Sequence, residues 1–369
     1  MIDSRLTKMA EVLVDYSLEL KPEDKFLINT TDLATPLVKE VYRIALLRGA
    51  YPEIQIQPEG LSRIYYATAS NEQLQYVSSL REMALGSFQA FLSIIADHNT
   101  KSLTNVDSEK IALRQRSMAP LNQLFMERAA KGEMRWCVAL YPTLGLAQEA
   151  SMSLDEYAEF VMEGCLLNSS DPKAQWQEVH DQQERYVEFL NGVDVIEVKA
   201  QDTDLRLRLK GRTWENCDGR MNFPDGEIFT APIEDSVEGV IRFSFPGIYS
   251  GKEVEDIRLT FEKGKVVKAT ASRGEELLHS LLDTDAGARR VGEFAIGTNF
   301  GITKFTRNML FDEKIGGTIH LALGSTYLET GGKNQSGIHW DMLCDMRDGG
   351  EIYADGQLIY KDGQMLIDD

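Results

Sequence analysis

A change of rhythm near Asn191-Gly192 constrains this chain more than any other feature of its sequence. Before it, from Lys25 to about Pro142, short apolar runs alternate with segments of helical period. Phe26-Leu27-Ile28, Glu53-Ile54-Gln55-Ile56, Phe91-Leu92-Ser93-Ile94-Ile95 and Arg135-Trp136-Cys137-Val138-Ala139-Leu140 read as strands, separated by helices over residues 36–48, 71–81 and 108–130. Such alternation predicts a mainly parallel sheet covered by helices, because parallel neighbours need a long crossover between them. Two more helices, over about 154–167 and 172–190, lead to the stop signal at Asn191-Gly192. After it, Val195-Ile196-Glu197-Val198, Leu205-Arg206-Leu207-Arg208-Leu209, Val240-Ile241-Arg242-Phe243 and Ile257-Arg258-Leu259-Thr260-Phe261 alternate with period two. Glu262-Lys263-Gly264-Lys265 reads as a hairpin turn, and one helix over 274–282 interrupts the strands. The expectation is an α/β domain over residues 1–192 and a β-rich α+β domain over 193–369.

With 369 residues, 43% of them hydrophobic, each of two domains can bury a sizeable core. No G-x-G-x-x-G or G-x-x-x-x-G-K-[ST] follows the early strands, so the fold gives no sign of a dinucleotide or P-loop nucleotide site. The net charge of −19 argues against a nucleic-acid or anionic-membrane partner, either of which needs clustered Lys and Arg. Cys137, Cys165, Cys217 and Cys344 show no C-x-x-C spacing and read as thiols of a reducing compartment, which fits the cytoplasm. From Met1-Ile2-Asp3 onward the first twenty residues carry an amphipathic helical pattern with acids inside it, unlike a signal peptide. No run is long enough to cross a bilayer.

Chemistry concentrates in the second half. In Thr318-Ile319-His320-Leu321-Ala322-Leu323, period two puts His320 on one face and Ile319, Leu321 and Leu323 on the other. In Ile338-His339-Trp340-Asp341-Met342 the same alternation brings His339 and Asp341 together, about 6–7 Å apart along the backbone. Glu293, in Val291-Gly292-Glu293-Phe294, and Glu227, in Gly226-Glu227-Ile228-Phe229, repeat the arrangement with a carboxylate. Mixed imidazole and carboxylate ligands suit zinc, cobalt or manganese rather than calcium. Chance is a rival reading, since 58 of 369 residues are acidic and about one His in six would have an acid two residues on. His320 and His339 as core residues of a small-molecule-binding α/β protein therefore stay open on this pattern alone. His98, His180 and His279 lack such a partner and read as surface or helix histidines. Gly331-Gly332-Lys333-Asn334-Gln335-Ser336-Gly337 reads first as a flexible turn, with a lid over a site the sharper alternative.

Several segments resemble the dinuclear metallo-aminopeptidases of the aminopeptidase T and aminopeptidase S type. Gly226-Glu227-Ile228-Phe229-Thr230-Ala231-Pro232, Gly292-Glu293, Leu310-Phe311-Asp312-Glu313-Lys314, His320-Leu321-Ala322-Leu323-Gly324-Ser325-Thr326-Tyr327 and His339-Trp340-Asp341 come in that family's order and nearly its spacing. The resemblance runs nearly the full length, with Leu13-Val14-Asp15-Tyr16-Ser17-Leu18 and Ser153-Leu154-Asp155-Glu156-Tyr157 as less specific matches. Two intervals depart from it: Tyr327 to His339 is shorter, and Glu313 to His320 a little longer.

The resemblance implies that Glu227, Glu293, His320, His339 and Asp341 hold two divalent ions, with Glu293 as a bridge and Glu313 as a further carboxylate at the metals. It also makes Tyr327 an active-site phenol, where spacing alone favours a half-buried strand tyrosine. The implied function is a metal-dependent aminopeptidase acting on short peptides, with the C-terminal domain catalytic. Glu313 is the first choice for the proton carrier, Glu293 the second. The family is typically a homodimer. A dipeptidase or other small-amide hydrolase is the neighbouring alternative.

Overall fold

The computed structural model describes residues 3–367, so the first two residues of the expected opening helix, Met1 and Ile2, lie outside the described residues. The chain divides into two compact units. One runs to Ala174 and adds Gly219–Pro224; the other comprises Gln175–Asp218 and Asp225–Asp369. Most of helix Pro172–Leu190, which the boundary at residue 192 assigned to the first domain, thus belongs to the second unit.

The first unit is built on a five-stranded parallel sheet. Its strands are β1 (Lys25–Thr30), β2 (Tyr51–Ile56), β3 (Ala90–Ile95), β4 (Arg135–Leu140) and the short piece Asn222–Phe223, in the order β2-β1-β3-β4 and then that piece. The helix expected over 71–81 is two helices, Asn71–Gln75 and Ser79–Ser87. Ser70 caps the first through a capping box. At the break, the guanidinium of Arg114 donates to the carbonyls of Leu74 and Tyr76, satisfying oxygens that a continuous helix would have used. Helices Leu61–Thr68 and Leu144–Glu149 were not anticipated; at eight and six residues both are too short to show a helical period.

In the second unit an eight-stranded antiparallel sheet runs in the order Lys265–Thr270, Ile257–Glu262, Glu238–Phe243, Thr203–Arg208, Val195–Ala200, Glu351–Ala354, Gln357–Lys361, Gln364–Met365. The expected hairpin turn is present, with Lys263 and Gly264 both at positive φ, 48° and 72°. The second sheet contains β5 (Glu215–Cys217), β6 (Glu227–Thr230), β7 (Val291–Gly297), β8 (Thr318–Gly324) and β9 (His339–Asp345), all antiparallel and ordered β9-β8-β7-β6-β5. One face of this sheet, with Ile228, Phe294, Ile296, Ile319, Leu321, Leu323, Trp340 and Met342, shares a single hydrophobic core with Ile196, Leu205, Ile241 and Phe261 of the larger sheet. Each such side chain, removed from water, contributes about 1.5–3 kcal/mol. That burial fixes which way the other face of β6–β9 must point.

Candidate metal centre

Cross-strand register gathers the expected residues on the face away from this core. His320 lies opposite Ala295, Asp341 opposite Ala322, and His339 opposite Gly324. Glu293 lies opposite Ala322 from the other side, and Glu227 opposite Gly297. Residues directly opposite in an antiparallel pair share a face, so Glu227, Glu293, His320, His339 and Asp341 project together. The positions between them are Ala295, Gly297, Ala322 and Gly324, whose small side chains leave room above the sheet.

Glu293 reaches that face only through a bulge. Val291 pairs with the core residue Leu323, yet Glu293, two residues on, pairs with Ala322. The extra residue is Gly292, and it inverts the phase of the strand. A β-carbon there would lie 2.3 Å from the Ser325 carbonyl oxygen and 2.5 Å from that of Gly324, so only glycine fits.

The Glu293 carboxylate sits between two imidazoles, with Oε1 3.6 Å from His320 Nε2 and Oε2 3.1 Å from His339 Nε2. His320 Nε2 is also 3.5 Å from Glu227 Oε2, and His339 Nε2 3.5 Å from Asp341 Oδ2. His339 Nδ1 donates to the Ser325 carbonyl at 2.8 Å, which orients the ring and turns Nε2 toward the carboxylates. Glu313 follows the short helix Met309–Asp312. Asn308 caps that helix, and the buried Asp312 carboxylate accepts from the backbone and hydroxyl of Thr306, so the loop carrying Glu313 is held from below. Tyr327 lies three residues beyond β8; its ring meets His339 edge-on at 5.1 Å and Phe229 at 5.4 Å.

Burial and like charge govern the electrostatics. Burial pushes the Glu313 carboxyl up to about 8, against the pull of Lys314 and with the repulsion of Asp341 and Glu227. Burial opposes charge on the imidazoles too, yet the surrounding carboxylates win: His320 is raised to about 9 by Glu293 and Glu227, and His339 to about 12 by Asp341 and Glu293. Asp341 is held down at about 2, burial notwithstanding, by His339. Tyr327 is 43% exposed as a residue, but its phenol is raised by desolvation and by Glu293, Asp341 and Glu313, and stays protonated. The group calls for positive charge.

That call, and the atoms themselves, fit divalent ions. Glu227 Oε2 and His320 Nδ1 are buried without a hydrogen-bond partner, an arrangement that proteins seldom leave uncompensated. Glu293, His339 and Asp341 each offer a ligand atom within 4.8 Å of the others, as do Cys217, Asp225 and Glu227. Nitrogen and oxygen donors of this kind suit zinc and its neighbours in the first transition row.

Residues 2–365, nearly the whole chain, match the family model for thermophilic metalloproteases (M29). The chain belongs to that family. It is 28% identical to aminopeptidase 2 of Geobacillus stearothermophilus, covering 94% of this chain and 93% of that one. It is also 28% identical to aminopeptidase T of Thermus thermophilus, over 95% of each. The solved structure of wild-type AmpT from Thermus thermophilus superposes with a TM-score of 0.87 at 26% identity, over 99% of this chain and 100% of that one. The expected fold class, a parallel α/β part joined to a β-rich part, is that of this M29 relative. Membership makes the chain a metallohydrolase that uses divalent metal and acts on peptides; a non-catalytic binding protein finds no support.

The sequence reading gave no site role to three residues that lie beside Glu227: Lys314, Cys217 and Asp225. Lys314, 1% exposed, places its ammonium 2.9 Å from Glu227 Oε1 and 2.6 Å from Glu313 Oε2. Burial would discharge it, but those carboxylates hold its pKa well above the usual lysine value. Cys217 reads from the sequence only as a thiol of a reducing compartment and Asp225 is not singled out; Cys217 meets Glu227 through the pairing of β5 with β6. The glycine-rich stretch 331–337 is pinned rather than a free turn: Asn334 donates to the Gly287 and Gly324 carbonyls, Lys333 N to Glu234, and Gly337 N to Asp285. His98 pairs with Asp32 and Glu59, His180 with Asp218, and His279 sits on helix Glu275–Leu282, none of them with the cluster.

Proposed function

We propose that this M29 protein is a cytoplasmic, metal-dependent aminopeptidase, working as a homodimer on short peptides. Its centre is formed by Glu227, Glu293, Glu313, His320, His339 and Asp341 and takes two divalent ions, zinc or cobalt among them. When bound, such ions supply Lewis acidity toward the scissile carbonyl and make water nucleophilic near neutral pH. The observation that carries the reading is the Glu293 carboxylate shared by two imidazoles, one oxygen to each.

The chain's own groups divide the remaining work. Glu313 takes the proton from the attacking water and passes it to the leaving amine. Both oxygens of Glu293 face imidazoles, whereas Glu313 has one oxygen on the Lys314 ammonium. Glu293 is therefore the weaker carrier. Tyr327, kept protonated beside His339, donates a hydrogen bond to the oxyanion that develops on the carbonyl.

Chelation abolishes peptide hydrolysis in this scheme, and added zinc or cobalt restores it; unchanged activity in metal-free protein sinks it. Free and N-acetylated peptides of one sequence separate exopeptidase action from general amide hydrolysis. Equal cleavage of both excludes an aminopeptidase.

A further inference from the structure

Glu227 faces two ways. Its Oε1 is bonded to the Lys314 ammonium at 2.9 Å, while its Oε2 has no hydrogen-bond partner and lies 3.5 Å from His320 Nε2. The same ammonium holds Glu313 Oε2 at 2.6 Å, and the Lys314 side chain is only 2% exposed. Its backbone is fixed as well: Lys314 N donates to the Phe311 carbonyl, and its own carbonyl accepts from Asn299 N, both at 3.0 Å. Asp225, spaced with Glu227 and Cys217 as metal ligands would be, lies close enough for its charge to act on this ammonium. The group on that side of Glu227 already has its cation.

We propose that Lys314 is a positioning residue of the centre: by fastening one oxygen of Glu227 and one of Glu313, it turns the other oxygen of Glu227 toward His320 and Glu293 and presents it to a divalent ion. The inference rests on the metal-dependent reading above. A carboxylate tethered through one oxygen cannot rotate freely, so its second oxygen is offered in a fixed direction, as outer hydrogen bonds do for metal ligands generally.

Charge and orientation predict opposite signs when the lysine is removed, and this makes the inference testable. Lys314→Met deletes a positive charge beside an acidic site, which by Coulomb attraction alone would tighten divalent-ion binding. Loss of orientation weakens it instead, by roughly 10–100-fold on the precedent of other outer-shell partners. Zinc affinity is read by competition with a chromophoric chelator, and bound metal by elemental analysis. Wild type is expected to bind tightest, Lys314→Arg to recover part of the loss, and Lys314→Met to bind weakest. Met-variant affinity equal to or tighter than wild type overturns the role of Lys314 alone; a wild type that binds no divalent ion overturns the metal reading itself. If Lys314→Met fails to fold, a crystal structure of zinc-loaded wild type decides. An ammonium still bonded to both carboxylates supports the inference, and one turned away from Glu227 overturns it.

Discussion

Gly292→Ala should damage catalysis from a position that touches no ligand. The added methyl would sit 2.3 Å from the Ser325 carbonyl oxygen, and an ordinary contact begins near 3.4 Å. The difference, 3.4 − 2.3, requires that oxygen or β7 to retreat by about 1 Å. Neither neighbour is a flexible side chain: both are backbone carbonyls at the end of β8, and Gly324 O is already bonded to Asn334. Ser325 O is also the acceptor that fixes His339, at 2.8 Å from Nδ1. The strain thus passes to an imidazole of the centre, while the bulge that gives Glu293 its phase is distorted at the same time. Overpacking of this kind costs about 1–3 kcal/mol of stability, and a displacement near 1 Å at a reacting group costs on the order of 100-fold in rate. Urea unfolding midpoints and hydrolysis of a chromogenic aminoacyl anilide at saturating zinc measure the two effects. Gly86→Ala is the control, since a β-carbon there meets nothing within 4 Å and the residue lies in helix Ser79–Ser87; it should stabilise by up to about 1 kcal/mol and leave activity unchanged. Wild-type stability and turnover in Gly292→Ala would refute the coupling of the bulge to His339.

Tyr327→Phe should lower kcat by about 100- to 1000-fold, as loss of an oxyanion donor does elsewhere, with bound metal unchanged by elemental analysis; loss of metal would make the phenol structural instead. Leu321→Ala, at a site of 0% exposure on the core face of β8, should cost about 2–5 kcal/mol in chemical denaturation, and a value below 1 would mean that the core collapses around the gap. Asp15 is held below the usual carboxylate range by its hydrogen bonds to Arg48 and then Lys173, burial opposing them. Its folded pKa is lower than its unfolded one, so the stability it contributes is present above about pH 4 and is lost as pH falls through the folded value. Asp15→Asn should therefore destabilise the protein modestly at pH 7 and reduce its further loss of stability on acidification. An acid-unfolding curve parallel to wild type would exclude that role.

What the sequence conveyed about the centre was its side-chain chemistry and most of its geometry. Alternation read correctly that His320, His339 and Asp341 leave the greasy face of β8 and β9, because a two-residue period and a one-sided core admit a single solution. The same argument, counted back from Phe294 and Ile296, puts Glu293 on the face away from the core, as in β7, but it hides how the strand arrives there. Counted from Val291 with strict alternation, Glu293 would share the side of a core residue; only the register shift at Gly292 brings it round, and a bulge leaves no mark in a hydrophobic pattern. Lys314 was illegible for a related reason. Read locally, it is one cation beside one acid after a short helix, the usual look of a solvated loop, and its burial depends on Glu227, 87 positions earlier, arriving from β6 (314 − 227). The compact units divide the chain differently from the expected boundary: the stop signal at Asn191-Gly192 marks a helix end, but Gly219–Pro224 returns to the first unit to add Asn222–Phe223 beside β4. Two residues carry too little pattern to announce a strand. Local periodicity thus reports which face a side chain takes within one strand, whereas phase inversions, buried ion pairs and chain returns are set by partners distant in sequence, and it is those partners that turn a row of plausible ligands into one centre.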